Sequence, residues 1–185
     1  MLEALGAKVL SGIVAFSLLM FSSFEGNDPR FEPLKIAKND SYLFISSKLV
    51  SAFDNDFPSI FSSGTPIPIH FTISIRKGSR ILGQSRFTHT VTFDTAKGVY
   101  QLDKGMGGTA LLTKSMEEII QEVSHFSVSV PYRKNWGDVS IRIEAKLPKL
   151  RFNKTDKDVD LMVLWKYKKP SAKSTVNLHK AQHRG

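Results

Sequence analysis

Apolar and polar residues alternate one by one along much of this chain, and a period of two is the signature of strands with one buried face. Ile67, Ile69, Phe71, Ile73 and Ile75 alternate with Pro68, His70, Thr72, Ser74 and Arg76, and Pro66 and Pro68 place the start of this strand at an edge or at its first residues. After a Lys77-Gly78-Ser79-Arg80 turn, Ile81 to Asp94 repeats the alternation through Phe87, His89, Val91 and Phe93, so the two runs predict a long hairpin. A first strand is predicted over Tyr42 to Leu49 and shorter ones over Val99 to Leu102 and Thr109 to Leu112. Late in the chain, Val139, Ile141, Ile143, Ala145 and Leu147 line one face of a strand, and Val159 to Tyr167 predicts the last. By the same alternation Phe44, Phe71, Phe87 and Phe93 belong to the core.

Two segments break the period. From Phe53 to Phe61, the residues Phe53, Phe57, Ile60 and Phe61 fall at helical spacing, with Asp54 or Asp56 as a cap, Pro58 in the first turn and Gly64 past the end. In the second, Ser115 and Glu118 form a capping box, and Met116, Ile119, Ile120 and Val123 make one apolar stripe. This order predicts an α+β domain, a largely antiparallel sheet of about six strands covered by two short helices on one face. Such a sheet has exposed edges to which a partner strand can add.

An uncharged apolar run over residues 9–24, VLSGIVAFSLLMFSSF, precedes all of this. Its length is that of a signal-peptide core and short of the roughly 20 residues that span a bilayer comfortably, so residues 1–26 are expected to be a signal peptide or a membrane anchor. Residues 27–168 are then one domain, of a size that supports a genuine core. The formal charge of +9 is uneven: from Lys166 to Gly185 there are six Lys or Arg and no acid. Residues 169–185 therefore predict a basic disordered tail, either a solvated terminus or one that lies on anionic lipid or nucleic acid.

Few of the polar residues fall at spacings that chemistry requires. The chain has no cysteine, which excludes disulfides and thiolate metal sites. Asp94, Asp103 and Ser85 are near enough to His70, His89 and His125 to suggest a triad, but nothing in their spacing fixes them together, and His89 lies in the apolar phase of its strand, where an imidazole paired to a carbonyl is the ordinary outcome. The Lys104 to Thr109 loop has the glycines of a phosphate cradle without its GK[ST] ending. Asn153, Asp156, Asp158 and Asp160 alternate as calcium ligands do, but Lys154 and Lys157 interrupt them and no closing glutamate follows. No catalytic, metal or cofactor site is expected, and nucleic acid is an unlikely partner because the aromatic residues are needed for the core.

GTPIPIHFTI (Gly64 to Ile73), FDTAKGVYQL (Phe93 to Leu102), SMEEII (Ser115 to Ile120) and IRIEAKLPKLRF (Ile141 to Phe152) stand in an order that resembles a bacterial family of exported proteins, the uncharacterised-domain family numbered 4390. The resemblance covers roughly residues 40–168 and implies export behind an apolar amino-terminal segment; it assigns no role to any residue. The tryptophan-rich closing strand of that family is represented here by Trp165 alone.

Two functions are compatible with these features. One is a non-catalytic interaction module of the bacterial envelope, whose sheet edge or basic surface docks another envelope protein. The other is a carrier of an apolar small molecule held between the sheet and the aromatic helix, in a pocket of Phe53, Phe57, Phe61, Phe71 and Phe87.

Overall fold

The long alternating runs pair with one another. In a computed structural model, which describes residues 26–105, 107–151 and 158–179, β1 (Arg30–Phe31), β2 (Lys35–Lys38) and β3 (Tyr42–Val50) are followed by helix α1 (Phe57–Phe61). The hairpin of β4 (Ile67–Lys77) and β5 (Arg80–Asp94) leads into β6 (Val99–Asp103), β7 (Leu111–Thr113), helix α2 (Met116–Ser124) and β8 (His125–Pro131). Among the described residues there follow β9 (Asp138–Lys146), β10 (Lys149–Arg151), β11 (Asp158–Asp160), a 3-10 turn (Leu161–Trp165) and β12 (Ser171–Asn177).

A curled antiparallel sheet of six strands, in the order β12-β9-β4-β5-β6-β7, forms one layer. The second layer is a smaller sheet in which β1 and β2 pair with one edge of β3 and β8 pairs with the other. Ile67, Ile69, Ile73 and Ile75 of β4 and Ile141 and Ile143 of β9 meet Leu43, Ile45 and Leu49 of β3, all buried. Aromatic rings join the layers: Phe31 of β1 lies 6.4 Å from Phe71, and Phe126 of β8 lies 6.1 Å from Phe71 and 5.7 Å from Phe87. The six-stranded sheet is thus covered in part by a second sheet, with α2 against β5, β6 and β7 and α1 beside β5, because β8 (HFSVSVP) and the Lys35–Lys38 segment add strands beyond those expected.

Helix α2 starts where its capping box predicts. Ser115 Oγ accepts from Glu118 N–H at 3.1 Å, while Thr113 closes the return path: Ser115 N–H donates to Thr113 Oγ1 at 3.1 Å, and the Thr113 hydroxyl donates to the Glu118 carboxylate. Ile119 and Val123 are the buried residues of its stripe. Ahead of it, Gly105 takes φ 64°, and a side chain there would stand 2.6 Å from the Thr88 carbonyl, so the loop crosses β5 too closely for anything but glycine.

Three expectations need correction. Val159–Tyr167 is not one strand: β11 ends at Asp160, whose carboxylate accepts from Met162 N–H at 3.0 Å and starts the 3-10 turn. Leu161, Met162, Leu164 and Trp165 are all buried, and consecutive buried residues suit a turn driven into the core better than a strand, which would expose every second one. Residues 169–185 are not wholly a disordered tail: β12 pairs with β9 over its full length, Ala172, Ser174 and Val176 lying opposite Ile143, Ile141 and Val139, and Leu178 is buried with its N–H on the Gly137 carbonyl at 3.0 Å. The domain therefore runs past residue 168. Phe44 points away from the core, since Leu43 and Ile45 occupy the inward positions of β3. The expected signal or anchor lies outside the described residues except for Gly26, as do Asn153 and Asp156 of the acidic loop.

Candidate functional site

The five phenylalanines expected to line one pocket fall into two packed clusters. Phe53, Phe57 and Phe61 touch one another, with centroids 5.0 to 5.7 Å apart, and Phe53 meets Trp165 at 6.1 Å. Phe71 and Phe87 stack at 5.0 Å across the hairpin, beside His89 and Phe126. All five are at most 5% exposed. Each cluster is filled by its own rings, as a core is. Ile60, 2% exposed in the first cluster, tests the filling. An Ile60→Trp substitution is expected to lower the unfolding free energy by about 1 to 3 kcal/mol through overpacking, measured by urea titration; unchanged stability would instead reveal spare volume beside α1.

His70, His89 and His125 each hydrogen-bond a separate partner. His70 Nδ1 contacts Thr88 Oγ1 at 3.0 Å, His89 Nδ1 contacts the Val123 carbonyl at 2.9 Å and His125 Nδ1 contacts the Gln121 carbonyl at 3.2 Å. The carboxylates named with them are held in turns: Asp94 Oδ1 accepts from Ala96 and Lys97 N–H, and Asp103 Oδ1 from Gly105 N–H. The His70–Thr88 pair has the elements of a base and a hydroxyl, yet partial burial and the facing Lys146 hold the His70 pKa below its ordinary value, so the imidazolium that a general base must become is disfavoured. Among the described residues no three His, Asp or Glu side chains converge as a metal site would require.

The outer face of the six-stranded sheet offers more. Register places its polar side chains in rows across the strands: Lys173, Arg142, Ser74 and Gln84 in one, then Ser171, Glu144, Thr72 and Arg86, then Lys146, His70 and Thr88. Arg76 continues the face toward the hairpin tip, opposite Ser140. Arg76, Arg86, Arg142, Lys146 and Lys173 are exposed, with hydroxyl and amide side chains between them. Glu144 is the acid inside the rows and lies 2.8 Å from Arg142; Asp138 stands at the far end of β9, opposite Asn177. Lys173 reaches this face because the tail is a strand, so part of the charge expected on a mobile terminus is fixed on the sheet. The alternation that marks Ile141, Ile143 and Ala145 as core also marks Arg142, Glu144 and Lys146 as one outward row; strand order, which the sequence does not reveal, brings Lys173 and Arg86 to them.

Compared with protein-family models, with curated proteins and with solved structures, the chain finds no match. Function is therefore read from the residues themselves.

Proposed function

We propose that this chain is an exported, membrane-anchored interaction module of a bacterial envelope, binding a partner protein without catalysing a reaction. The observation that supports this most is the uncovered face of β12, β9, β4 and β5, where five exposed cations stand among Ser, Thr and Gln side chains while the phenylalanine rings of β4 and β5 turn inward. A basic face of this kind, with few acids among its cations, suits the acidic surface of another protein, and charge complementarity of this sort sets encounter rate and orientation. The terminal strands β12 and β7 supply the sheet edges at which such a partner could extend the ladder.

The test is the native mass of the protein released gently from its own envelope fraction, compared with its denatured mass. A protein-sized increment is expected, lost on raising salt and lost in an Arg142→Glu, Lys146→Glu, Lys173→Glu variant whose melting temperature stays near that of the parent. An increment that survives this variant would remove the face from the account. One of only a few hundred daltons would favour the carrier instead.

A further inference from the structure

The apolar run of residues 9–24 stops two positions before Gly26, and the fold takes hold of the chain there at once. Asn27 N–H donates to the Leu164 carbonyl at 2.8 Å, Asn27 Oδ1 accepts from Asp54 N–H at 3.1 Å, and the Gly26 carbonyl accepts from Asn55 Nδ2 at 2.7 Å. Two residues span at most about 7 Å, so the surface around Gly26 is the part of the domain that a bilayer holding that run must approach.

That surface has a particular composition. Lys166 and Tyr167 take left-handed backbone angles, φ 50° and 57°, which side-chain-bearing residues avoid and which are held here by Lys166 N–H on the Val163 carbonyl (2.9 Å) and Tyr167 N–H on the Met162 carbonyl (2.8 Å). The turn leaves Tyr167 65% exposed and lays the Lys166 stem over Gly26. Lys168, Lys169 and Arg30 are exposed beside it, and Lys169 precedes Pro170, whose carbonyl accepts from Ala145 N–H at 3.1 Å next to Lys146. Among the described residues, the acids beside Gly26 and Asn27 are Asp28, ion-paired with Lys168, and Asp54; in sequence Glu25 directly precedes them. Lys168 first, then Lys166 and Arg30, lower the pKa of Asp28, which places all three cations within electrostatic reach of one point. Lysines around an exposed tyrosine are what a headgroup layer with negative charge accommodates, the ring at the interface and the ammonium groups among the phosphates.

We infer that this corner, Arg30, Lys166, Tyr167, Lys168 and Lys169, rests on the anionic lipid headgroups of the bilayer entered by residues 9–24. The inference rests on the anchored reading proposed above and adds an orientation: the Gly26 end faces lipid, and the β4–β5 hairpin tip points away. From His70, beside Lys146, to Lys77 the strand extends about 24 Å, so the two ends are distinguishable.

Because the chain has no cysteine, single probes are specific. Full-length Tyr167→Cys and Ser79→Cys, each carrying one fluorophore, are placed in vesicles of phosphatidylcholine with or without phosphatidylglycerol, with a quencher on a fraction of the headgroups. Quenching at position 167 is expected to exceed that at position 79 several-fold in anionic vesicles, and to fall toward it in high salt or when Lys168→Glu and Lys169→Glu are added. Equal quenching at both positions in protein that floats with the vesicles would overturn the orientation alone. Protein that does not float would overturn the anchored reading and the corner with it. Equally strong quenching at position 167 in neutral and anionic vesicles would remove anionic lipid as the ligand.

Discussion

Replacing Trp165 by alanine is expected to cost about 3 to 5 kcal/mol of unfolding free energy, the range for deleting a fully buried aromatic side chain. Trp165 has no exposed surface, and its indole N–H donates to the Ala52 carbonyl at 2.8 Å. It thereby fastens the chain after β3 to the 3-10 turn and closes the cluster of Phe53, Phe57 and Phe61. The effect has two parts that a second variant separates. Trp165→Phe retains most of the apolar volume but leaves the Ala52 carbonyl without its donor, and is expected to cost about 1 to 3 kcal/mol. Urea titrations followed by circular dichroism read both values without relying on the removed chromophore. An alanine variant less than about 1 kcal/mol below the parent would mean that the turn is not fastened to the core as described.

Trp165 also marks where sequence reading succeeds and where it stops. Period-two alternation located β3, β4, β5, β6 and β9 because each buries one face and exposes the other, and the pattern of Ile67 to Arg76 admits no other register. The Ser115–Glu118 box located α2 because capping is local. Leu161 to Trp165 is apolar at every position, and such a run fits a buried strand and a buried turn equally; only the surroundings of Asp160 and Ala52 decide. β12 was illegible for the opposite reason. Ala172 and Val176 are too small and too few to announce a strand among lysines and serines, and it forms because β9 offers a complete ladder, a non-local cause.

The candidate surfaces divide along the same line. The outward row Arg142, Glu144, Lys146 can be read from one strand, but the face it belongs to exists only once β12 and β5 are placed beside β9 and β4. The corner at Gly26 is less legible still, because Arg30 and Lys166 are more than a hundred residues apart in sequence and are brought together by the hydrogen bonds of Asn27 and the Asp28–Lys168 ion pair. The five phenylalanines show the reverse relation. Helical and strand spacing each named their aromatic residues correctly as inward-facing, yet inward-facing rings on two elements need not face one another, and here each set is satisfied within its own cluster.

Stability is expected to fall by about 3 kcal/mol as pH drops from 6.5 to 4, and His89 is the main source. Its side chain has no exposed surface and lies 4.9 Å from the Phe71 ring; burial first, then Lys104, lowers its pKa from 6.5 to about 4 against the opposing hydrogen bond to the Val123 carbonyl. Nδ1 is committed to that carbonyl, and Nε2 has no partner among the described residues, so a proton added there would be a charge in an aromatic core. The sign follows from the two pKa values. Between pH 6.5 and 4 the unfolded chain binds a proton at this site that the folded chain refuses, so the contribution is complete above 6.5 and lost progressively as pH falls through the folded value. The exposed carboxylates with lowered pKa values, Asp28, Asp94 and Glu117, act in the same direction but below their ordinary range near 4, which leaves the upper part of the window to histidine. His70, lowered by burial and by Lys146, adds a smaller share that a His70→Asn control removes without touching the core. His89→Gln retains a donor for the Val123 carbonyl and has no proton to take up, so its urea midpoint should change little from pH 7 to 5 while that of the parent falls. Parallel midpoints for the two proteins across that interval would mean that His89 is protonated in the folded state, and that the space beside Phe71 and Phe87 admits water or an anion to balance it.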